Sequence, residues 1–385
     1  MKIVTVVGAR PQFIKAAPVS RAITARKGTH SIEEVLVHTG QHYDQNMSQV
    51  FFEELGLDIP RYNLGIGGGG HGQQTGKMLA ALEEVLLQEE PDCVLVYGDT
   101  NSTLAGALAA VKLHISVAHV EAGLRSFNRR MPEEINRVTV DHMSELLYAP
   151  TPVSVDNLHN EGIKQGIFMI GDVMQDAVAQ HLITAESKSR ILRELGINRG
   201  EYLLATVHRA ENTDDPKRLS SIVSALCLLA KEDIVLWPVH PRTLKNLQAV
   251  DTFPANLRLI PALSYLDMLV LEHNAKIIVT DSGGVQKEAR WMEIPCVTLR
   301  EETEWVETLE GNWNQLAGAD PNRITRAIRA AKVKFKTRSS SCVQPAGAAA
   351  LLIESLVEWG KAPLPVVSGM RERENTDSAI SARTC

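Results

Sequence analysis

The chain contains few cysteines and no long apolar run, and both shortages exclude classes of protein. Five of its 385 residues are cysteine. This odd number, without a Cys-x-x-Cys pair, disfavours zinc and dithiol redox sites, whereas Cys93 and Cys296 lie in apolar runs typical of a core. No run approaches the ~20 apolar residues of a membrane span, and no small-residue cleavage site follows Met1–Val7. We therefore expect a cytoplasmic protein.

An excess of charge of one sign is also missing. Lys and Arg number 40 and Asp and Glu number 46, which gives a net charge of −6. This mildly acidic balance disfavours nucleic acid and anionic membranes as partners, although a local basic pocket could still bind an anionic ligand. Hydrophobic residues make up 44% and charged residues 22%, as in ordinary globular proteins. At ~150 residues per domain, the length suggests two or three domains.

The motifs that usually announce a cofactor or a metal do not occur. No G-x-G-x-x-G follows the first apolar run, so a dinucleotide site is not expected. The segment 71–78 resembles a P-loop, but His71 replaces its first glycine and Met78 replaces its Ser or Thr. No H-E-x-x-H occurs, and metal-ligand spacing is lacking among the histidines at the ends of apolar runs, His38, His42, His119 and His208. We expect neither a cofactor nor a metal.

Short apolar runs alternate with helix-period stripes, and the pattern occurs twice along the chain. The first set of predicted strands is Ile3–Val7, Val35–His38, Cys93–Tyr97, Ile115–Val120, Leu146–Ala149 and Ile167–Ile170. The second set is Tyr202–Val207, Ile234–Val239, Leu257–Ile260, Ile277–Thr280 and Cys296–Leu299. Strands that are apolar on both faces and separated by amphipathic helices predict parallel sheets covered on both sides. The fold class is therefore α/β, with two consecutive units of similar size.

The predicted boundaries follow from this repeated pattern. We expect a first Rossmann-like domain over residues 1–175, a second over 176–362 and a mobile tail over 363–385. The polar stretch that follows Asp172 is predicted as a hinge, because few apolar contacts need to cross it. Gly67–Gly70 is predicted as a flexible loop.

Charged residues follow several strands of the first half. In open parallel sheets, ligands bind beyond the carboxyl ends of the strands, which is where these residues lie. Arg10 and Lys15 follow the first strand and could meet a phosphate at a helix N-terminus. Asp99 and Glu121 end two strands that should be neighbours, and Glu133 lies at the start of a predicted helix. A helix cap or a favourable helix dipole would explain each carboxylate singly. Several carboxylates at one crevice are instead typical of acid/base chemistry.

In the second half of the chain, polar residues and glycines also follow the predicted strands. His208 follows one strand, and Ser282-Gly283-Gly284 follows another. Glycines at a strand-to-helix junction let backbone N–H groups approach phosphate oxygens closely. Glu288, about one turn into the same helix, could bind the two hydroxyl groups of a ribose.

These segments together resemble a known family. The chain is similar to the non-hydrolysing UDP-N-acetylglucosamine 2-epimerases over about residues 1–360. The resemblance rests on ordered motifs, each weak alone: Gly8–Gln12, Thr39–His42, Tyr97–Thr100, His119–Arg125, Pro132–Glu134, Asn136–Arg137, His208–Asn212 and Asp281–Gly284.

The resemblance implies a glycosyltransferase-B-like architecture, in which two Rossmann-like domains face a central cleft. It implies reversible inversion at C2 of a UDP-linked 2-acetamido sugar, either UDP-N-acetylglucosamine to UDP-N-acetylmannosamine or a related 2,3-diacetamido derivative. The C2 proton leaves together with UDP to give a glycal-type intermediate, and UDP adds back after protonation from the other face. This chemistry needs no cofactor and no metal. The UDP-sugar is the expected partner, and a homodimer is expected.

The resemblance also implies roles for individual residues. The acid/base carboxylates are Asp99, Glu121 and Glu133, and further active-site residues are Lys15 and His208. The UDP-sugar is bound by Arg10, Arg137, His208, Ser282, Gly283, Gly284 and Glu288. UDP is expected mainly on the second domain, with the sugar facing the first. Which carboxylate is the acid and which is the base stays open.

Some positions depart from the family pattern. Lys287 stands where the family often has the first glutamate of Ser-Gly-Gly-x-Gln-Glu-Glu. The stretch 64–71 lacks an arginine that allosteric bacterial members carry, which leaves activation by a second substrate molecule open. That stretch, with Gly171–Met174 and Glu304–Glu307, resembles a branch that includes enzymes acting on 2,3-diacetamido uronic acid sugars. The alternatives are a glycosyltransferase of the same architecture, a hydrolysing 2-epimerase that releases free sugar and UDP, and a non-catalytic UDP-sugar binder.

Overall fold

The computed structural model describes residues 1–26, 32–41, 49–239, 241–247, 253–334 and 343–361. The predicted tail 363–385 and the motif residue His42 lie outside the described residues. In the described part of the chain, no helix is long and apolar enough to span a membrane.

Two sheets organise the molecule. The first contains β1 (Lys2–Val7), β2 (Glu33–His38), β3 (Tyr62–Asn63), β4 (Cys93–Tyr97), β5 (Ser116–Val120), β6 (Leu146–Ala149) and β7 (Ile167–Met169). The second contains β8 (Tyr202–Thr206), β9 (Ile234–Val239), β10 (Leu257–Pro261), β11 (Ile277–Thr280), β12 (Cys296–Thr298) and β13 (Asn314–Leu316).

Helices connect the strands throughout. Those of the first half are α1 (Arg10–Ala25), α2 (Gln49–Leu55), α3 (His71–Glu89), α4 (Asn101–Lys112), α5 (Pro132–Met143) and α6 (Pro152–Asn160). Those that follow are α7 (Val173–Lys188), α8 (Ile191–Glu194), α9 (Ala210–Thr213), α10 (Pro216–Leu229), α11 (Pro241–Asn246), α12 (Tyr265–Asn274), α13 (Gly283–Trp291), α14 (Pro321–Lys334) and α15 (Ala348–Lys361). A 3-10 helix spans Val306–Asn312.

Both sheets are parallel and doubly wound. The strand order is β3-β2-β1-β4-β5-β6-β7 in the first sheet and β10-β9-β8-β11-β12-β13 in the second. Each order reverses at its first strand, between β1 and β4 and between β8 and β11. At such a reversal a crevice opens beyond the carboxyl ends of the strands, and ligands bind there. The two Rossmann-like units therefore each present one ligand crevice.

Alternation along β1 shows why the first sheet is covered on both faces. Ile3 and Val7 belong to one apolar cluster, which also contains side chains of α1 and α7. Val4 and Val6 belong to a second cluster, with side chains of α3 and α4. Successive residues of a strand point to opposite faces, so these two clusters lie on opposite sides of the sheet.

The stretch after Asp172 differs from the predicted hinge. It forms α7, whose buried side chains include Val178 and Leu182 and which contacts α1 and α12. The helix therefore connects the two halves through an apolar interface, and the expectation of few apolar contacts is wrong. The buried face of α7 was not predicted, because the C-terminal end of this helix and the segment up to Arg199 are polar.

The last described helix returns to the first half of the molecule. α15 lies in the predicted second domain but packs against α1. Asp176, buried in α7, accepts hydrogen bonds from the backbone N–H groups of Gly347 and Ala349, both at 2.8 Å. These bonds satisfy donors at a helix N-terminus that would otherwise lack partners.

The two α/β units face each other across a cleft lined by residues of both. This arrangement confirms the predicted α/β class and the glycosyltransferase-B-like architecture. The division at residues 175 and 176 stays a prediction; the first sheet ends at Met169, and the second begins at Tyr202.

Candidate active site

A cleft of about 950 Å³ lies between the carboxyl ends of the two sheets. Segments that follow β1, β4 and β5 form one wall, and segments that follow β8 and β11 form the opposite wall. The cleft brings together the residues predicted to be catalytic or to bind the substrate: Arg10, Lys15, Asp99, Glu121, Glu133, Arg137, His208, Ser282, Gly283, Gly284 and Glu288.

The turn after β1 is held by one amide side chain. Oε1 of Gln12 accepts hydrogen bonds from the N–H groups of Gly8 at 2.8 Å and Ala9 at 2.9 Å. Its Nε2 donates to the carbonyl of Tyr97 at 2.8 Å and to Thr103 Oγ1 at 3.0 Å. Because Gln12 is buried and uses both ends of its amide, it fixes the ends of β1 and β4 relative to each other.

Asp99 follows β4 and is paired with Arg137 of α5. The Nε atom of Arg137 donates to Asp99 Oδ2 at 3.1 Å, and its Nη2 contacts the same oxygen. Nη1 of Arg137 donates to Glu134 Oε2 at 2.8 Å. Glu134 also accepts the N–H groups of Ser126 and Phe127, both at 2.9 Å, so it stabilises the loop before α5. Although burial lowers the pKa of Arg137, the charge of Asp99 more than compensates and raises it.

Glu121, at the end of β5, lies between two ammonium groups. Its Oε2 contacts Lys15 Nζ from α1, and its Oε1 accepts a hydrogen bond from Lys287 Nζ of α13 at 3.0 Å. Burial alone would raise the pKa of Glu121, but Lys15 and Lys287 lower it to about 2. Its backbone has φ of 71°, a left-handed conformation uncommon outside glycine. Such strain costs roughly 1–3 kcal/mol and recurs at functional sites.

Glu133 differs from the other two carboxylates in its exposure. It lies in the first turn of α5, lines the cleft and is exposed to solvent. Among the described residues, no hydrogen-bond or ion-pair partner holds its carboxylate. Glu133 is therefore the carboxylate with the most freedom to contact a molecule that enters the cleft.

Buried polar residues behind the cleft hold the segment 119–125. His119 contacts the carbonyl of Gly98 through Nε2 and Asp141 through Nδ1, both at 2.7 Å. Asp141 also accepts hydrogen bonds from the backbone N–H of Gly123 at 3.0 Å and from Arg125 Nη1 at 2.7 Å. His119 thus has a structural role behind the cleft.

In the second domain, Asp281 positions the segment after β8. Asp281 is fully buried and accepts the backbone N–H groups of His208 and Arg209 at 3.1 Å. Nδ2 of Asn212 donates to the same carboxylate at 3.1 Å. Nδ1 of His208 lies 3.4 Å from Asp281 Oδ1. The His208 side chain is about half exposed and lines the cleft.

The N-terminus of α13 also faces the cleft. Ser282 caps this helix and accepts the N–H of Val285 at 3.4 Å. A Cβ atom added to Gly283 would lie 2.7 Å from Glu304 Oε1, so a side chain there would displace this carboxylate. The N–H groups of the first turn lack intrahelical partners and are suited to bind an anion.

Glu288 forms a buried pair with Glu272 of α12, which sequence reasoning missed. Burial raises the pKa of Glu288 to about 7. Burial also raises the pKa of Glu272, and the charge and hydrogen bond of Glu288 raise it further. The pair therefore keeps its protons to higher pH than isolated carboxyl groups do. The only local signal for Glu272 is a charged residue within the apolar face of a helix.

Sequence reasoning also missed Asp172 and the pair of Arg300 and Glu304. Asp172 accepts a hydrogen bond from Lys287 Nζ at 2.7 Å, and Arg300 Nη1 donates to Glu304 at 2.8 Å. The family-like motifs contained Asp172 and Glu304 but did not predict their partners. Lys287, the partner of Asp172, is distant in sequence, and Arg300, the partner of Glu304, lies in a loop without a periodic pattern. Within the described ranges, no group of three or more His, Cys, Asp or Glu side chains is arranged to hold a metal ion.

Comparisons with known proteins match this architecture. The model of the UDP-N-acetylglucosamine 2-epimerase family matches residues 24–349. A UDP-N-acetylglucosamine 2-epimerase homolog of Methanococcus maripaludis is 55% identical over 334 residues, which are 85% of this chain and 92% of the relative. A UDP-2,3-diacetamido-2,3-dideoxy-D-glucuronate 2-epimerase of Pseudomonas aeruginosa is 50% identical over 333 residues, 86% of this chain and 92% of the relative.

A solved structure is similar over nearly the whole chain. It is the UDP-GlcNAc 2-epimerase of Methanocaldococcus jannaschii in complex with UDP-GlcNAc and UDP. The two structures superpose with a TM-score of 0.84 and 43% sequence identity, over 93% of this chain and 100% of the other. On the family match, these identities and the shared fold, the chain belongs to the UDP-N-acetylglucosamine 2-epimerase family.

Proposed function

We propose that this protein catalyses reversible inversion at C2 of a UDP-linked 2-acetamido sugar. The observation that supports this most strongly is the shared cleft, which is lined by Asp99, Glu121 and Glu133 on one side and by the N-terminus of α13 on the other. Carboxylates in different environments suit proton transfer. An N-terminal helix turn opposite them suits the diphosphate of the same substrate.

UDP binds mainly to the second domain in this proposal. The N–H groups of Gly283 and Gly284 bind phosphate oxygens, with the cations of Arg10 and Arg137 across the cleft, whereas the N–H of Ser282 donates to Thr280 Oγ1 at 2.9 Å. Glu288 binds the ribose hydroxyls through carboxylate oxygens, with the buried carboxyl group of Glu272 beside it. The backbone N–H groups and the two arginines also stabilise the negative charge that develops on UDP as it leaves.

The sugar then faces the first domain, where the acid/base groups lie. A carboxylate removes the proton from C2, the C–H electron pair forms the C1=C2 double bond, and the C1–O pair leaves with UDP. Protonation of C2 from the other face and return of UDP to C1 complete the inversion. Glu133 is exposed, Asp99 is held by Arg137, and His208 and Lys15 line the same space. Their different environments support different roles in these two proton transfers.

The substrate class is a UDP-2-acetamido sugar: UDP-GlcNAc, interconverted with UDP-ManNAc, or a 2,3-diacetamido derivative. The Pseudomonas aeruginosa relative supports the second, and the complex of the Methanocaldococcus jannaschii enzyme supports the first. Parallel assays with both UDP-sugars and the same enzyme preparation distinguish them by their kcat/KM ratio.

Proton NMR of each UDP-sugar with the enzyme in heavy water tests the proposal. We expect a C2 epimer to form without any acceptor and to carry deuterium at C2, because the abstracted proton exchanges with solvent. Product that keeps protium at C2 would contradict elimination, and release of free sugar and UDP would indicate a hydrolysing enzyme. A requirement for an acceptor would instead indicate a glycosyltransferase.

A homodimer and a cytoplasmic location stay predictions. Light scattering of the purified chain over a range of concentrations checks the first, and fractionation of the source cells checks the second.

A further inference from the structure

Lys287 is a buried lysine at the contact between the two halves of the molecule. It lies on α13 and is 4% exposed. Its Nζ donates to Glu121 Oε1 at 3.0 Å and to Asp172 Oδ2 at 2.7 Å. The same atom lies 3.6 Å from the ring centroid of Trp305. Two carboxylates and an aromatic face are the environment that keeps a buried ammonium group charged.

The contact links segments that carry different parts of the proposed site. Glu121 follows β5 of the first sheet, whereas Lys287 lies one turn after the Ser282–Gly284 segment of the second. Each oxygen of Glu121 contacts its own cation, Lys15 from the same domain and Lys287 from the other. A change in the position of α13 therefore changes one of the two contacts that orient the Glu121 carboxylate.

We propose that Lys287 is a positioning residue that acts through Glu121. Its hydrogen bond holds the Glu121 carboxylate in one orientation when the two domains are in contact. The proposal rests on the proposed function and deepens it, because it assigns a positioning role at the Glu121 carboxylate to a residue of the opposite domain. Charged groups that face this pair from the neighbouring elements are Lys15, Asp172, Glu288 and Glu307.

Kinetics of Lys287→Met as a function of pH test this role. We expect kcat to fall by roughly 10²-fold, as for other small misplacements of reacting groups, with a smaller change in KM. We also expect the acidic limb of kcat to move to higher pH, because Glu121 loses one of the cations that keep it ionised. Lys287→Arg should recover most of the original limb. The matched control is Lys276→Met, which removes a half-exposed lysine paired with Asp233, and it should leave the profile unchanged.

A double-mutant cycle with Glu121→Gln decides whether Lys287 acts through Glu121. If it does, the double variant loses no more kcat than Glu121→Gln alone; additive losses, or an unmoved acidic limb, would overturn the proposal. The free energy of unfolding in urea is also measured for the same four proteins. The proposal requires that the effects of the two substitutions on this free energy are coupled, and additive effects would overturn it. A wild-type enzyme without C2 epimerisation would contradict the proposed function, whereas the unfolding cycle would still decide the contact.

Discussion

Arg137 donates from Nε to Asp99 Oδ2 at 3.1 Å and from Nη1 to Glu134 Oε2 at 2.8 Å. One guanidinium group thus connects the end of β4 to the first turn of α5. Arg137 keeps its charge in a buried place because Asp99 and Glu134 both face it. The Asp99 carboxylate is about one third exposed, so it also faces the cleft.

Asp99→Asn keeps the size of this side chain and removes its charge. We expect turnover to fall by roughly 10²–10⁴-fold, the contribution of a positioned acid or base, while UDP affinity changes far less. Steady-state kinetics together with calorimetric titration of UDP measure both quantities. Asp156→Asn, on the exposed face of α6, is the control and should behave as wild type. Near-normal turnover of Asp99→Asn would remove this residue from the proton-transfer groups.

Glu133 and Glu121 should respond differently to the same substitution. Glu133→Gln should lower turnover without changing thermal stability, because Glu133 is exposed and none of the described residues pairs with it. Glu121→Gln should lower turnover and also destabilise the fold by about 3–5 kcal/mol, since it leaves two largely buried lysines with less compensation. Scanning calorimetry separates the two cases, with Glu83→Gln on α3 as a surface control. Equal stability losses in both variants would contradict this difference.

The strand cores were predictable because their residues are buried on both faces. The predicted ranges Cys93–Tyr97, Leu146–Ala149, Ile234–Val239 and Ile277–Thr280 coincide with the observed strands. The edge strands β3 and β13 were missed, because they span two and three residues and have no periodic pattern. Their pairing is decided by neighbouring strands rather than by their own sequence.

For the candidate site, sequence placed residues at strand ends but not their partners. The motifs predicted that Asp99 and Glu121 would meet at one crevice, since carboxyl ends of parallel strands share an edge. That Ser282 would face them across a cleft was implied by the family resemblance. The contact of Glu272 with Glu288 depends on how α12 packs beside α13, and the contact of Lys287 with Glu121 depends on how the domains meet. Such contacts between distant segments leave no local pattern in the sequence.

The carboxyl pair of Glu272 and Glu288 should make stability depend on pH in the ligand-free protein. Burial raises the pKa of Glu288 to about 7, whereas an unfolded chain would ionise it near the ordinary value of about 4.5. Between these values the native state binds more protons than the unfolded state, so this pair's contribution to the free energy of unfolding falls as pH rises from about 4.5 to 7. Urea titrations of the wild type and Glu288→Gln across this range measure the effect. We expect a weaker fall in the variant, and parallel curves would contradict the raised pKa.

Gly8 should be essential to the turn after β1 for steric reasons. A Cβ atom at this position would lie 2.0 Å from Ser102 Oγ and 2.1 Å from Thr39 Oγ1, two oxygens that hydrogen-bond each other. Gly8→Ala should therefore destabilise the protein by at least about 1–3 kcal/mol. The control is Gly76→Ala in the exposed part of α3, where no atom beyond the adjoining residues and the backbone of the helix itself lies within 4 Å of the added carbon. That variant should be more stable by about 0.5–1 kcal/mol, and thermal unfolding of both proteins measures the contrast. Equal melting temperatures would contradict the crowding at Gly8.

Glu288 should contribute to UDP affinity, whereas Glu133 should not. Glu288→Ala removes the carboxylate proposed to bind the ribose, and a hydrogen bond to a charged group contributes about 1.5–3 kcal/mol. We therefore expect UDP affinity to fall by roughly 10- to 150-fold, as measured by calorimetric titration at a pH above 7, where Glu288 is ionised. Glu133→Gln is the matched control on the opposite wall, and its affinity for UDP should stay near that of the wild type. Small-angle scattering adds a second measurement, because a ligand that contacts both walls of the cleft should compact the wild type and compact Glu288→Ala less at equal UDP concentration. If instead Glu133→Gln lost UDP affinity and Glu288→Ala kept it, the first domain would be the one that binds the nucleotide.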